Sequence, residues 1–241
     1  KAQNPKALAL FCSSLLILSK MGLFRNHAII LHLLKRMVAL KSPGKPEFCW
    51  GYHFDWQARD GFIPAFDPNI ICTTFAGNAL IDAYNNLEDE KYLDMAISAA
   101  DFILNGLNHT KGNDEICFSY TLAGQDQVHN ANLLGAAYLA RLYSITKEKK
   151  YLVPAVRAVR FSIRRQREDG SWPYGEDKLQ QWVDNFHTGY NLVALKKFSE
   201  YTGSGEADIS ITKGLRFYLD NFFTEEDIPK YYHDQTYPID I

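Results

Sequence analysis

The chain has 241 residues, enough to bury a sizeable core within one domain. With 26 basic against 28 acidic residues the net charge is −2, which gives no electrostatic footprint for nucleic acid. Aromatic residues make up 14% of the chain, which points either to dense packing between helices or to rings that face a ligand.

Ala7 to Leu18 is apolar but too short to span a bilayer. It carries Ser13 and Ser14 and lacks a small-x-small cleavage site, so it reads as a buried helix that follows the Asn4-Pro5 turn. Helix-period stretches then recur over residues 5–21, 25–41, 70–86, 89–107, 129–144, 148–166, 185–201 and 206–223. Strand signals are scarce; the most alternating segment, Ile116 to Leu122, fits an irregular loop or a small hairpin. The row Arg157, Arg160, Arg164, Arg165 and Arg167 reads as a solvated helix face with its stems packed on neighbours. Cys12, Cys49, Cys72 and Cys117 show neither a CxxC pair nor zinc spacing. Free, mostly buried thiols are expected, with no metal and no cofactor, and a cytoplasmic chain away from membranes.

The helices pair, and the pairs repeat. A shift of 59 residues brings Tyr84 onto Tyr143, Tyr92 onto Tyr151 and Phe102 onto Phe161; one of about 55 brings Tyr143 to Phe198. Links within a pair are tight, as from Asn86 to Glu88 and from Ile145 to Lys147, whereas connectors between pairs (42–69, 108–128, 167–184 and 224–237) are long. Antiparallel hairpins set side by side place all the long connectors at one end, where loops of that length are usually functional. The expected class is all-α, a toroid of α/α hairpins. It is read as a single domain over residues 1–241 that lacks some N-terminal and C-terminal helices of a closed ring.

Polar residues gather where each long loop meets its next helix. Asn69, Asn130 and Asp184 are read there as helix caps. His129, His187, Tyr190 and Tyr237 are poor caps and read equally well as site residues. In Trp182-Val-Asp-Asn-Phe-His-Thr-Gly-Tyr190, His187 is suited to acid/base work near neutral pH and Tyr190 lies one turn along the same face. In Cys49-Trp-Gly-Tyr-His-Phe-Asp-Trp56, rings able to stack on a sugar accompany Asp55, able to accept hydroxyl hydrogen bonds. The expected acid/base set is His187 and Tyr190, assisted by Asp55, His129 and Asp240. Trp50, Tyr52, Trp56, Asp126, Trp172, Trp182, Asp184 and Tyr237 are the expected substrate-binding residues.

Two resemblances follow. Gln166-Arg-Glu-Asp-Gly-Ser-Trp172 resembles the QW motif of triterpene cyclases, where the pattern ties a barrel helix to the following loop and is structural. The chain has neither the DxDD nor the DDxxD run of terpene enzymes. The hairpins, the aromatic loops and the segments Asn-Phe-His-Thr-Gly-Tyr190 and Tyr237-Pro-Ile-Asp240 resemble the (α/α) toroids of carbohydrate metabolism: six-hairpin glycosidases, uronate-polysaccharide lyases and the helical domain of glucuronyl C5-epimerases. That resemblance implies a carbohydrate substrate processed at the long-loop rim by hydrolysis, elimination or epimerisation. A glycan-recognition or scaffold domain and a terpenoid-type toroid remain the alternatives, and oligomeric state is left open.

Overall fold

The computed structural model describes residues 3–57 and 61–238. The chain divides into two compact units, one over residues 1–107 with 121–123, the other over residues 108–120 and 124–241.

In the first unit, α1 (Pro5–Lys20) and α2 (His27–Ala39) form one hairpin, and α3 (Ile70–Leu87) and α4 (Glu90–Asp101) form the next. Helix α1 packs on both α2 and α3. The connector between the hairpins carries a two-residue ribbon, β1 (Trp56–Gln57) against β2 (Phe62–Ile63), too short to leave a sequence signal. A π-turn, Phe102–Gly106, extends α4.

The second unit opens with the hairpin β3 (His109–Lys111) and β4 (Ile116–Phe118), so the alternating segment at Ile116 is indeed a strand. Two helical hairpins follow, α5 (His129–Thr146) with α6 (Lys149–Ile163) and α7 (Asn185–Thr202) with α8 (Asp208–Asn221). Here α5 packs on both α6 and α7. In each unit the first helix of a hairpin therefore meets the first helix of the neighbouring hairpin, while the second helix lies outside its partner. Burial follows: α5 is buried over most of its circumference, whereas α6 buries one stripe.

The repeat is physical. Helix α4 buries Tyr92, Ala96, Ala99 and Ala100, and α6 buries Tyr151, Ala155, Ala158 and Val159, each 59 positions on. Helices α3, α5 and α7 end alike, with Glu88, Lys147 and Gly203 in the left-handed region donating their N–H to Tyr84, Tyr143 and Ser199. The second offset is thus 56 residues (Lys147 to Gly203), close to the sequence-based 55. At the other end, the residue before each of these helices bridges to the following long connector: Asn69 to Thr121, Val128 to Gly175 and Asp184 to Tyr232.

The Gln166–Trp172 motif is a structural clamp. Gln166 donates its amide to the carbonyls of Gly170 and Ser210, both at 2.9 Å, tying the end of α6 to α8. Trp172 is buried, donates its indole N–H to the carbonyl of Ser162 at 2.9 Å, and lies against Gly214 of α8. The arginine row does more than face solvent. Arg157 donates to the carbonyls of Gly112 and Glu115, Arg160 pairs with Asp114 and Glu206, and Arg165 pairs with Glu115, so α6 grips the turn of the β3–β4 hairpin. All four cysteines are free and buried; burial pushes the Cys12 and Cys72 thiols up to about 12, so they stay protonated at neutral pH. Among the described residues no helix is long and apolar enough to cross a membrane.

Candidate functional site

The start of α7 gathers the sharpest group. Asp184 caps the helix: its Oδ1 accepts the backbone N–H of His187 at 2.8 Å. Its other oxygen, Oδ2, lies 2.7 Å from His187 Nδ1 and accepts the indole N–H of Trp182 at 2.9 Å. The Asp184 side chain is fully buried, while 22% of the His187 side chain is exposed. An ionised carboxylate only accepts, so the His187 proton sits on Nδ1 and the lone pair on Nε2. Around this pair Tyr174 stacks on Trp182 with ring centroids 4.5 Å apart and meets His187 edge-on at 4.6 Å. Phe186 contacts both His187 and Tyr190. Burial raises the half-buried Tyr190 phenol, which keeps it a proton donor at neutral pH. Asn185 accepts the Tyr218 hydroxyl at 2.6 Å and donates to the carbonyl of Lys230, anchoring the first turn of α7 to α8 and the last connector.

His129, at the start of α5, is arranged the other way round. It is fully buried, with Nδ1 3.2 Å from Ser162 Oγ and Nε2 2.9 Å from Glu176 Oε1, so both ring nitrogens are engaged. Asn130 is not a cap: the cap position of α5 is Val128, without a side-chain bond. Asp126 lies half-buried in the connector before α5.

The remaining candidates belong to other segments of the chain. Trp50, in the first unit, is buried and donates its indole N–H to the carbonyl of Met37 at 2.8 Å, as Trp172 does to Ser162 in the second. These two indoles are core, and neither presents a face to solvent. Tyr52, in the same connector as Trp50, stacks on Phe54 and meets Trp56 edge-on, and Asp55 accepts the backbone N–H of Ala65 at 2.8 Å. Tyr237 is exposed, and Asp240 lies outside the described residues. Sequence reasoning singled out neither Glu176 nor the packing of Tyr174 against His187. Glu176 sits in a loop without periodicity, and its partner His129 is 47 residues away.

No protein-family model matches this sequence, and no curated protein sequence matches it. Solved structures do. Cellobiose 2-epimerase from Bacillus thermoamylovorans is 10% identical with a TM-score of 0.72, over 92% of this chain and 61% of that one. A sugar epimerase from a ruminal bacterium is 11% identical at 0.76, over 98% and 66%. An α-1,6-mannanase of a Salegentibacter species is 15% identical at 0.67, over 90% and 60%. The chain thus spans about three-fifths to two-thirds of the length of these structures. They are carbohydrate-active (α/α) toroids, and the fold of this chain is the all-α hairpin toroid that they share.

Proposed function

We propose that the start of α7 is a proton-transfer site acting on a saccharide, for epimerisation or aldose–ketose isomerisation. The observation that carries this reading is the buried Asp184 carboxylate on Nδ1 of a partly exposed His187, which frees Nε2 as a base. In the open-chain sugar, Nε2 takes the proton from the carbon next to the carbonyl, and the C–H electron pair moves onto the carbonyl oxygen. Tyr190 donates to that oxygen as charge develops. Protonation of the same carbon by water on the other face inverts it, while His187 gives its proton to the hydroxide left behind and Tyr190 recovers its own from the oxygen. Return of the His187 proton to the former carbonyl carbon, with Tyr190 recovering its proton from the neighbouring hydroxyl, shifts the carbonyl. The stacked rings of Tyr174 and Trp182 offer an apolar platform for the sugar.

One point favours this over hydrolysis. Glycoside hydrolysis uses a pair of carboxyl groups, and the oxygens of Asp184 are committed to His187 and Trp182.

The test is incubation of the protein in heavy water with mannose, cellobiose and glucuronate, read by NMR for deuterium at the carbon beside the carbonyl. Exchange that is lost in His187→Ala is expected. Binding of a sugar without any exchange would overturn the catalytic reading in favour of a glycan-recognition domain.

A further inference from the structure

The connector between α6 and α7 holds a carboxylate with the opposite polarity to the Asp184–His187 pair. There the acid is buried and the histidine exposed; in His129–Glu176 the histidine is buried and 31% of the glutamate side chain is exposed. A directed row of donors stands behind Glu176. Asn132 donates Nδ2–H to Ser162 Oγ at 3.1 Å, so the Ser162 hydroxyl is free to give its own proton to His129 Nδ1. The His129 proton then sits on Nε2, aimed at Glu176 Oε1 at 2.9 Å. Arg165 Nε lies 3.7 Å from the other oxygen. The His129 hydrogen bond, with Arg165 and Arg167 adding to it against the effect of burial, holds the Glu176 carboxyl below the usual glutamate range.

The backbone places this carboxylate beside the aromatic platform. Gly175 pairs with Val128 in an antiparallel bridge, the His129 N–H bonds the Tyr174 carbonyl at 3.1 Å, and the Glu176 N–H bonds the Gln127 carbonyl at 3.1 Å. On the other side Tyr174 donates its N–H to the Trp182 carbonyl at 2.8 Å. Residues two apart lie no more than about 7 Å from one another along any backbone. Glu176 therefore stands about one sugar ring from Tyr174, whose own ring touches Trp182 and His187.

We propose that Glu176 is a specificity-determining residue of this site: a fixed anion that accepts hydrogen bonds from the hydroxyls of a neutral saccharide seated on Tyr174 and Trp182, and that disfavours a uronate. The inference rests on the saccharide reading of the site but not on turnover. Charge-assisted hydrogen bonds are about twice as strong as neutral ones, so losing the charge is expected to weaken a neutral sugar about tenfold.

The test titrates the full chain with cellobiose, α-1,6-mannotriose and glucuronate, following intrinsic tryptophan fluorescence, and compares Glu176→Gln. Glutamine keeps an acceptor for His129, so its thermal midpoint is expected within about 3 °C of the parent. The expected result is neutral-sugar binding about tenfold weaker, with glucuronate binding unchanged or tighter. Unchanged affinity for all three, or a parent chain that binds none, overturns the proposal, as does a Glu176→Gln variant that loses only stability. The changed sugar preference without any deuterium exchange in the parent would refute proton transfer while leaving this assignment standing.

Discussion

Replacing Gly214 with alanine tests the clamp that joins α6 to α8. A Cβ at Gly214 would lie 2.6 Å from Trp172 Cζ3, 2.9 Å from its Cη2 and 3.0 Å from Leu192 Cδ2. Carbon pairs rest at about 3.5–4.0 Å, so the methyl intrudes by roughly 1 Å. The indole has little freedom to yield, being buried and held by the Ser162 carbonyl. Nor can the loop that carries it shift freely: Gly170, at φ +95, would itself meet the Lys213 carbonyl if it carried a Cβ. Overpacking of this kind costs about 1–3 kcal/mol, against which alanine in a helix gains about 0.5–1 kcal/mol. The net loss of about 0.5–2 kcal/mol should lower the thermal midpoint by roughly 1–8 °C in a chain of this size. Gly189→Ala, in α7, is the control. Its Cβ would meet only Tyr218 Cε2, at an ordinary 3.9 Å, so that variant should gain the helical term and melt slightly higher. Thermal melts by circular dichroism compare the two. A Gly214→Ala midpoint equal to or above that of Gly189→Ala would refute the packing argument.

The shared helix endings give a paired prediction: Glu88→Gly removes a side chain from a left-handed residue (φ 55) and should raise the midpoint by about 1–4 °C, for a gain of about 0.5–1 kcal/mol. Gly203→Ala, at φ 70 with nothing near its Cβ, should lower it by a similar amount, and no change there would contradict the left-handed reading. In acid, Glu115 (bonded to Arg165) and Glu176 (bonded to His129) both titrate below the usual glutamate value of 4.5 when folded. Depressed folded values mean that their stabilisation is complete above pH 4.5 and is lost as pH falls through the folded values. Urea midpoints should therefore drop as pH falls below the usual glutamate value of 4.5, and the Glu115→Gln/Glu176→Gln chain should drop less; parallel falls would show that these pairs contribute nothing.

Much of the fold is legible because it depends on periodicity. Starts predicted at residues 70, 129 and 185 coincide with α3, α5 and α7, since each follows a polar break at the end of a long connector. The predicted ends overshoot in α4, where the chain widens into a π-turn at Phe102, and in α6, where Arg164 leaves the helix before the Gln166 clamp. Candidate site residues were readable only when chemistry and spacing coincide at one helix start, as for Asp184, His187 and Tyr190. The positions of the tryptophans were not, because burial separates Trp50 and Trp172 from Trp182 and nothing in the local sequence distinguishes the three. Glu176 and Arg165 acquire meaning through His129 and the β3–β4 turn, contacts made across tens of residues.

The α7 pair can be understood as an altered helix cap. In α3, Asn69 Oδ1 accepts the N–H of Cys72 at 2.8 Å, three residues on, and the Asn69 side chain also bonds the Cys72 thiol. In α7, Asp184 Oδ1 accepts the N–H of His187 at the same 2.8 Å, and the second atom is now an oxygen that takes protons from an imidazole and an indole. One repeat position thus changes from cap to dyad by exchanging an amide for a carboxylate and a thiol for an imidazole. Asp184→Asn separates the two roles. Its Oδ1 still caps α7, so the helix should persist. Its Nδ2–H would then face His187 Nδ1, which must accept, moving the ring proton to Nε2 and removing the base. Because the wrong tautomer costs an imidazole base several orders of magnitude, deuterium exchange should fall by about 10²–10⁴ while helix content by circular dichroism stays near that of the parent. A variant that keeps the full exchange rate would mean that the orientation of His187 by Asp184 has no part in the chemistry.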